Sequence, residues 1–328
     1  MDIIPIPYPK KGEIRIKIKA AAFNPVDVKI RQREYGDCTP LILGADCSGI
    51  VDQIGEDVNN FAIGDEVYAM SFGQSSNGSY AQYVCLPYQF AAKKPKGFSF
   101  EAAACIPVAS LTAYRATIGL QTFREKGAIF IAGAAGGVGC MAVQLSRHFH
   151  GGPIYTVARS EETVKFLVEK LNIGKRNIVL YKDMTIEQVQ EKLVDLNKGE
   201  LFSGVLDFIG KEMKELCISL ADYSGEIVSI VPEEQDIKLP LWANGSTYFQ
   251  RCLSLRCIFV GSESFSGKEK KWEVYQTQFA HLNRLFEAET INIPYYRNLG
   301  PFCLETVKKA HRLLETGRVK GKLVMSMD

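Results

Sequence analysis

The chain has 328 residues, which is more than one compact hydrophobic core usually takes, so two domains are expected. Hydrophobic residues make up 46% of the chain and charged residues 23%, an ordinary globular composition. The formal net charge is +2, which gives no overall field for nucleic acid. These figures argue against a nucleic-acid-binding protein.

Cysteine usage and the first residues indicate the compartment. The nine cysteines include no CxxC pair, and most lie among apolar neighbours, as reduced buried thiols do. Residues 1–20 are charged and alternating, with no apolar signal-peptide segment. We therefore expect a cytoplasmic protein with no membrane partner.

From residue 1 to about 108 the chain consists of short predicted strands and turns. EIRIKIKA (13–20) alternates apolar and polar residues with period two, which is typical of a strand with one buried face. SGIVDQIG (48–55) and DEVYAM (65–70) follow as further strands. This part predicts a mostly-β domain.

From about 109 to 261 strands alternate with helices. The predicted strands are 127–132, 153–158, 177–180, 204–209, 225–231 and 255–260. VGCMAVQLSRHF (138–149) carries apolar residues at helical spacing between the first two. This alternation predicts a parallel, doubly wound sheet. Helices near 270–289 and 302–316 and a last strand, KLVMSM, complete the chain.

The run 127–146 carries no charge and is about long enough to span a bilayer. Its five glycines and Gln144 oppose membrane insertion, and the chain has no second hydrophobic span. A membrane helix is therefore the weaker interpretation of this run.

Within that run, FIAGAAGGVG (130–139) matches the dinucleotide fingerprint GxGxxG, whose three positions fall on Ala134, Gly136 and Gly139. The second position lets a pyrophosphate approach the backbone, and the third lets helix and strand pack closely. The helix start, with Gly137 and Val138, offers free N–H groups to phosphates. We expect a dinucleotide site here, with a tight turn that binds no ligand as the alternative.

The end of the second predicted strand of this domain decides between NADH and NADPH. An NAD site usually places Asp or Glu there, whereas PIYTVA is followed by Arg159 and Ser160. Ser160 with Glu161 and Glu162 resembles a helix N-cap and its acidic first turn. Because guanidinium suits a 2′-phosphate, we predict NADPH. The alternatives are an arginine with no role and a ribose held by the two glutamates.

Over nearly its whole length the sequence resembles the medium-chain dehydrogenases/reductases of the quinone oxidoreductase (zeta-crystallin-like) branch. The motifs that carry the resemblance include NPVDVKIRQREY (24–35), LGADCSGIV (43–51), GSYAQYV (78–84), AGAAGGVG (132–139), DFIG (207–210) and GKLV (321–324). The resemblance implies an α/β fold. A GroES-like, mostly-β substrate domain takes residues 1–108 and 262–328, and a Rossmann domain of residues 109–261 is inserted between them.

The resemblance also assigns site residues. Asn24 and Thr112 would line the nicotinamide and its ribose, and Tyr35 has the position of the proton-donating tyrosine of enoyl-thioester reductases. Tyr181 would lie near the adenosine phosphate. Each also has a structural alternative. Asn24 would form a turn, Thr112 would be a helix-terminal hydroxyl, Tyr35 a packing ring and Tyr181 an ordinary strand-end tyrosine. Where relatives have glycine two residues before that proton donor, this chain has Arg33.

The same comparison predicts that the protein binds no metal. Alcohol dehydrogenases of this superfamily carry a His-Glu pair where this chain has Ala45 and Asp46, and the closely spaced zinc cysteines have no counterpart. Without such a Lewis acid we expect NADPH-dependent reduction of a quinone or of the C=C bond of an enone. An enoyl-thioester reductase and a non-catalytic NADPH-binding protein are the alternatives.

The last predicted strand of the Rossmann domain indicates the assembly. Relatives pair this strand across a twofold axis, and here it reads LRCIFVG (255–261). Because an apolar edge strand is rarely left bare, we expect a homodimer.

Overall fold

A computed structural model gives the fold of the chain and describes residues 3–34, 42–71, 78–120, 127–233 and 247–327. The chain divides into two compact units. Unit 1 contains Met1–Leu111 and Val260–Asp328, and unit 2 contains Thr112–Phe259. The boundaries predicted from the sequence lie at 108 and 261. The predicted fold class, an α/β chain with a GroES-like and a Rossmann-type domain, is confirmed.

The strands are β1 (Glu13–Phe23), β2 (Asp46–Ile54), β3 (Glu66–Met70), β4 (Tyr83–Pro87), β5 (Ala91–Lys93), β6 (Ile129–Ala132), β7 (Ile154–Ala158), β8 (Ile178–Leu180), β9 (Phe202–Asp207), β10 (Ala221–Ser229), β11 (Ser254–Cys257), β12 (Tyr296–Pro301) and β13 (Lys322–Ser326). The α-helices are α1 (Pro25–Arg31), α2 (Phe100–Ala104), α3 (Pro107–Ile118), α4 (Gly137–Phe149), α5 (Glu161–Leu171), α6 (Ile186–Leu196), α7 (Glu212–Leu220), α8 (Thr247–Gln250), α9 (Glu273–Glu287) and α10 (Leu304–Glu315).

Unit 1 is built on a seven-stranded mixed sheet of order β12-β13-β1-β2-β3-β5, with β4 also paired to β1. The alternation predicted for β1 is confirmed, because Ile14, Ile16 and Ile18 are at most 2% exposed. Strand β1 pairs antiparallel with β2 on one side and with β13 on the other. It therefore joins the two ends of the chain in one sheet.

Unit 2 is a six-stranded parallel sheet of order β11-β10-β9-β6-β7-β8. All six predicted strands are present, although β10 begins at Ala221, four residues before the prediction. The strand order reverses direction between β6 and β9. In open α/β sheets ligands bind beyond the carboxyl ends of the strands at such a point, so the loop after β6 is the first place to look for a site.

Helix α4 packs its apolar side against the protein interior, where Met141, Ala142 and Leu145 are fully buried. The charge-free run 127–146 is therefore strand β6, a turn and most of α4 rather than one continuous helix. Among the described residues no helix combines the length and the apolar character needed to cross a membrane.

Strand β11 lies at one edge of the six-stranded sheet in the described part of the chain. The strand ends at Cys257, short of the predicted 260, and its Leu255 side chain is 40% exposed. An apolar edge strand is rarely left bare, so within the described ranges this is the edge at which we would expect a second copy of the chain to pair.

We expect a homodimer held together through β11. Leu255→Asp should shift the mass measured by light scattering from dimer to monomer, because a buried carboxylate at the interface would be unpaired. Ile63→Asp, at an exposed turn of unit 1, is the control and should leave the dimer intact. A wild-type protein that is monomeric at micromolar concentration would contradict the expectation.

Candidate functional site

The turn between β6 and α4 is shaped by three glycines that act in different ways. Gly133 has φ +84, in the left-handed region that favours glycine. A Cβ on Gly136 would meet only the Gly133 carbonyl oxygen, at 3.5 Å, so this face of the turn is open. A Cβ on Gly139 would overlap that oxygen and lie 2.6 Å from Ala134 Cα. Gly139 thus permits close packing, and Gly136 leaves room for a ligand.

This geometry fits the pyrophosphate of a dinucleotide. Gly136 is the N-cap of α4 with φ −75, and Gly137 and Val138 form the first turn of this 13-residue helix. The first N–H groups of a helix lack partners within it and favour negative charge. Ala134 is 1% exposed, so its methyl group is packed within the protein. Gly133 is not one of the three fingerprint positions, and its need for glycine became visible only in the structure.

Replacing either fingerprint glycine by alanine should separate binding from folding. Gly136→Ala should keep most of the free energy of unfolding, losing about 0.5–1 kcal/mol at the N-cap. It should weaken dinucleotide binding by roughly tenfold or more, because the methyl group enters the open face. Gly139→Ala should instead lower the free energy of unfolding by about 1–3 kcal/mol, because its methyl group meets backbone.

Denaturant unfolding and cofactor fluorescence titration on the same two variants would measure these effects. Unimpaired binding by Gly136→Ala would mean that no ligand lies against this turn.

The ends of β7 and β8 bring together the residues predicted for the adenosine end of the cofactor. Arg159 is exposed directly after β7, and its guanidinium carbon lies 5.9 Å from the ring centroid of Tyr181. The Tyr181 N–H donates to the Ala158 carbonyl at 3.0 Å. Ser160 caps α5, since its Oγ accepts the Thr163 N–H at 3.2 Å. The N-cap interpretation of Ser160 is confirmed, and Arg159, Ser160 and Tyr181 form one cluster.

Asp207, at the end of β9, is a residue that the sequence analysis quoted only as part of a motif. It is fully buried, and its Oδ1 accepts the N–H groups of Ile209 at 3.1 Å and Gly210 at 2.8 Å. Its Oδ2 accepts the Ser229 hydroxyl at 2.9 Å. A Cβ on Gly133 would meet the Ile209 side chain at 3.1 Å, so this loop faces the glycine turn. An aspartate at the end of a predicted strand is the feature of the sequence that could have pointed to this residue.

In unit 1, Asn24 lies in a buried cluster of charged groups. Its Nδ2 donates to Asp46 Oδ2 at 2.8 Å, and its Oδ1 accepts from Lys322 Nζ at 2.5 Å. Lys322 Nζ also lies 2.8 Å from Asp46 Oδ2. The exposed fractions of the three residues are 4%, 0% and 4% for Asn24, Asp46 and Lys322. The sequence analysis did not single out Lys322, which lies 298 positions from Asn24.

Asp27, in the first turn of α1, is the second carboxylate of this region and is fully buried. Its Oδ2 accepts the Asn24 N–H at 2.7 Å and the Tyr80 hydroxyl at 3.0 Å. Its Oδ1 has no hydrogen-bond partner among the described residues. Burial raises the pKa of Asp27 to about 7, and the negative charge of Asp46 adds to that effect, while the Asn24 N–H, Lys322 and Tyr80 oppose it.

The raised pKa makes stability depend on pH with a defined sign. The folded-state pKa of Asp27 is about 7 and its ordinary value is 3.8, so the folded state binds a proton more tightly. That contribution is present below the ordinary pKa and is lost as pH rises through about 7. The free energy of unfolding should therefore fall with pH in this window, by up to about 1.4 kcal/mol per unit.

Asp27→Asn should lack this dependence and gain stability relative to wild type as pH rises from 5 to 8. Denaturant unfolding across that range measures the difference between the two proteins. Asp52→Asn, at an ion pair with Arg15 in the same sheet, is the control and should not change the slope. Parallel curves for Asp27→Asn and wild type would contradict this account.

The structure also describes Thr112 and Arg33. Thr112 lies within α3, is 6% exposed and is the first residue of unit 2. Tyr35 lies outside the described residues, so its role as proton donor stays a prediction. Arg33 has φ +64, in the left-handed region that favours glycine, and glycine is the residue that the resemblance places here in relatives.

Within the described ranges no group of three or more His, Cys, Asp or Glu side chains is arranged to hold a metal ion. Asp46, which stands in the pair compared with the zinc enzymes, has both oxygens in hydrogen bonds. Its Oδ1 accepts the Val108 N–H at 2.8 Å, and its Oδ2 contacts Asn24 and Lys322. The absence of a bound metal stays a prediction.

A mixed GroES-like sheet with a parallel Rossmann-type sheet and a glycine turn defines a two-domain oxidoreductase. The alcohol dehydrogenase GroES-like domain matches residues 10–96, and the zinc-binding dehydrogenase family matches residues 173–325. The chain belongs to the medium-chain dehydrogenase/reductase superfamily, and its relatives fit the quinone/enone reductase branch.

Two relatives and one solved structure show what this chain is similar to. The chain is 28% identical over 332 positions to 2-methylene-furan-3-one reductase of Solanum lycopersicum, covering 98% of this chain and 74% of that protein. It is 31% identical over 235 positions to the chloroplastic NADPH-dependent alkenal/one oxidoreductase of Arabidopsis thaliana, covering 69% and 57%. The crystal structure of an NAD-dependent alcohol dehydrogenase superposes with TM-score 0.83 at 27% identity, covering 100% and 95%.

Proposed function

We propose that the protein is an NADPH-dependent reductase that transfers hydride to the C=C bond of an α,β-unsaturated carbonyl compound or to a quinone. The observation that carries the proposal is the carboxyl edge of the unit 2 sheet. There the open face at Gly136 suits a pyrophosphate, and Arg159, in contact with Tyr181, stands at the end of β7, where an NAD site has a carboxylate. Two relatives named as enone reductases support the same reaction class.

The chain's own residues would divide the binding of the cofactor. The backbone of Gly136, Gly137 and Val138 would hold the pyrophosphate, with Ala134 and Gly139 shaping the turn. Arg159, Ser160 and Tyr181 would hold the adenosine phosphate. A bound NADPH supplies the hydride from its nicotinamide ring.

Reduction of an enone places negative charge on the carbonyl oxygen, so the protein must stabilise that oxygen and supply a proton. By resemblance, Asn24 and Thr112 are the polar groups near the nicotinamide. Tyr35 is our candidate for the proton donor. A reduced quinone can take its protons from water, so it depends less on a protein acid.

A panel assay tests the reaction. NADPH consumption should be seen with a small quinone or an alkenone and should exceed consumption of NADH. Turnover confined to crotonyl thioester would assign the protein to the enoyl-thioester reductases instead. Tight NADPH binding with no turnover of any compound in the panel would indicate a non-catalytic protein.

Arg159 should set the preference between the two cofactors. A guanidinium–phosphate contact contributes about 1.5–3 kcal/mol, so Arg159→Ala should weaken NADPH binding by about 10- to 100-fold. NADH lacks the 2′-phosphate and should bind the variant as it binds the wild type. Fluorescence titration of both cofactors, repeated at higher salt, measures the preference, which salt should reduce in the wild type.

Arg176→Ala is the matched control, because Arg176 is an exposed arginine just before β8, at the opposite end of the strand from Tyr181. It should leave both affinities unchanged. Equal weakening of both cofactors by Arg159→Ala, or a wild type that prefers NADH, would return attention to Glu161 and Glu162 as ribose ligands.

A further inference from the structure

We propose that Lys322, acting with Asp46, is a positioning residue that holds the Asn24 amide in one orientation, as a hydrogen-bond donor. The oxygen that accepts this hydrogen bond would belong to the substrate carbonyl. The identity of this acceptor rests on the proposed function, whereas the orientation of the Asn24 amide does not.

The sheet register brings the three residues together. Strand β1 pairs Ala22 with Asp46 of β2 and Phe23 with Leu323 of β13. Asn24 follows the last paired residue of β1, and Lys322 precedes Leu323. Asn24 therefore meets a carboxylate from one neighbouring strand and an ammonium from the other.

The charges decide which way the amide points. With Oδ1 toward Lys322 and Nδ2 toward Asp46, both contacts are attractive, at 2.5 and 2.8 Å. Turning the amide over would set its NH₂ group against the ammonium and its oxygen against the carboxylate. Because the cluster is buried, solvent screens neither repulsion. Only one orientation is therefore stable.

In that orientation one hydrogen of the Asn24 amide is left without a partner among the described residues. Among the described residues Asn24 Nδ2 makes one hydrogen bond, to Asp46, and an amide nitrogen carries two hydrogens. The ammonium on Oδ1 also polarises the amide and strengthens its N–H groups as donors. Asn24 is thus prepared to donate to an oxygen, most strongly to one that gains negative charge.

Two further hydrogen bonds connect the cluster to the backbone. Asp46 Oδ1 accepts the Val108 N–H at 2.8 Å, and the Asn24 backbone N–H donates to Asp27 at 2.7 Å. A buried ion pair is rarely needed for stability, since well-packed apolar residues commonly replace one at no cost. The pair therefore calls for another explanation, and control of the Asn24 amide provides it.

The test removes both charges together, because Lys322→Met alone would leave Asp46 buried and unpaired. The double variant Asp46→Asn/Lys322→Met should lower kcat for enone reduction by about 10- to 100-fold, as loss of an aligned donor does. The dissociation constant for NADPH should stay within about twofold, well under the tenfold that 1.4 kcal/mol represents. Lys322→Arg keeps a charged donor and should retain most of the activity.

Asn24→Ala separates positioning from a merely structural role. If Lys322 and Asp46 act through Asn24, the double change should have no further effect on kcat in the Asn24→Ala background. An undiminished loss there would overturn the proposal. The matched control Arg15→Met/Asp52→Asn removes a β1–β2 ion pair from the same sheet and should leave kcat unchanged.

A second measurement does not depend on activity. Of the two side-chain amide NMR signals of Asn24, assigned by their loss in Asn24→Ala, the one whose N–H donates to Asp46 should exchange with solvent at least about tenfold more slowly in wild type and Lys322→Arg than in the double variant, as buried hydrogen-bonded groups do. If wild type reduces nothing in the panel, the proposed function fails and this measurement still decides the positioning role. Equal exchange in wild type and double variant would overturn it. Should the double variant not fold, the same comparison is made with Asp46→Asn/Lys322→Gln.

Discussion

The pairing of β1 with β13 is the constraint on which the rest of unit 1 depends. It joins a strand near the start of the chain to the last described strand, so unit 2 has to be an insertion. The same pairing sets Lys322 beside Asn24 and opposite Asp46. The antiparallel pairing of β1 with β13 thus accounts for the domain organisation, and together with the pairing of β1 with β2 it forms a buried cluster of charged groups.

Buried carboxylates recur at the connections between elements. Asp27 accepts a backbone N–H at the junction of β1 and α1, and Asp46 accepts the N–H of Val108 in α3. Asp207 does the same for Gly210 in the loop after β9. A buried carboxylate is costly unless its oxygens are hydrogen-bonded, so each of these residues ties a connecting segment to a fixed point. The connections that they hold are the ones next to the candidate sites.

Unit 2 shows how one short glycine-rich turn serves folding and binding at once. Gly139 is needed because helix α4 approaches the backbone of the turn, and Gly133 because of its left-handed conformation. Gly136 satisfies neither requirement and leaves open space instead. A position where neither close packing nor the backbone angle requires glycine supports a ligand that lies against the backbone.

The amino-acid sequence by itself determined what depends on neighbouring residues. The period of two in β1, the helical spacing in α4 and the strand–turn–helix around residues 130–139 are local, and each was predicted. The N-cap at Ser160 was predicted for the same reason. The superfamily also followed from the sequence, because its motifs are short and contiguous.

Only the tertiary structure decided which distant residues meet. Asn24 and Lys322 are 298 positions apart, and no periodicity in the chain connects them. The left-handed backbone of Arg33 could not be read from a residue type that usually avoids it. The raised pKa of Asp27 likewise comes from burial beside Asp46, which a sequence does not display. Register and burial arise from the whole sheet, so the orientation of the Asn24 amide became visible only once β1, β2 and β13 were in place.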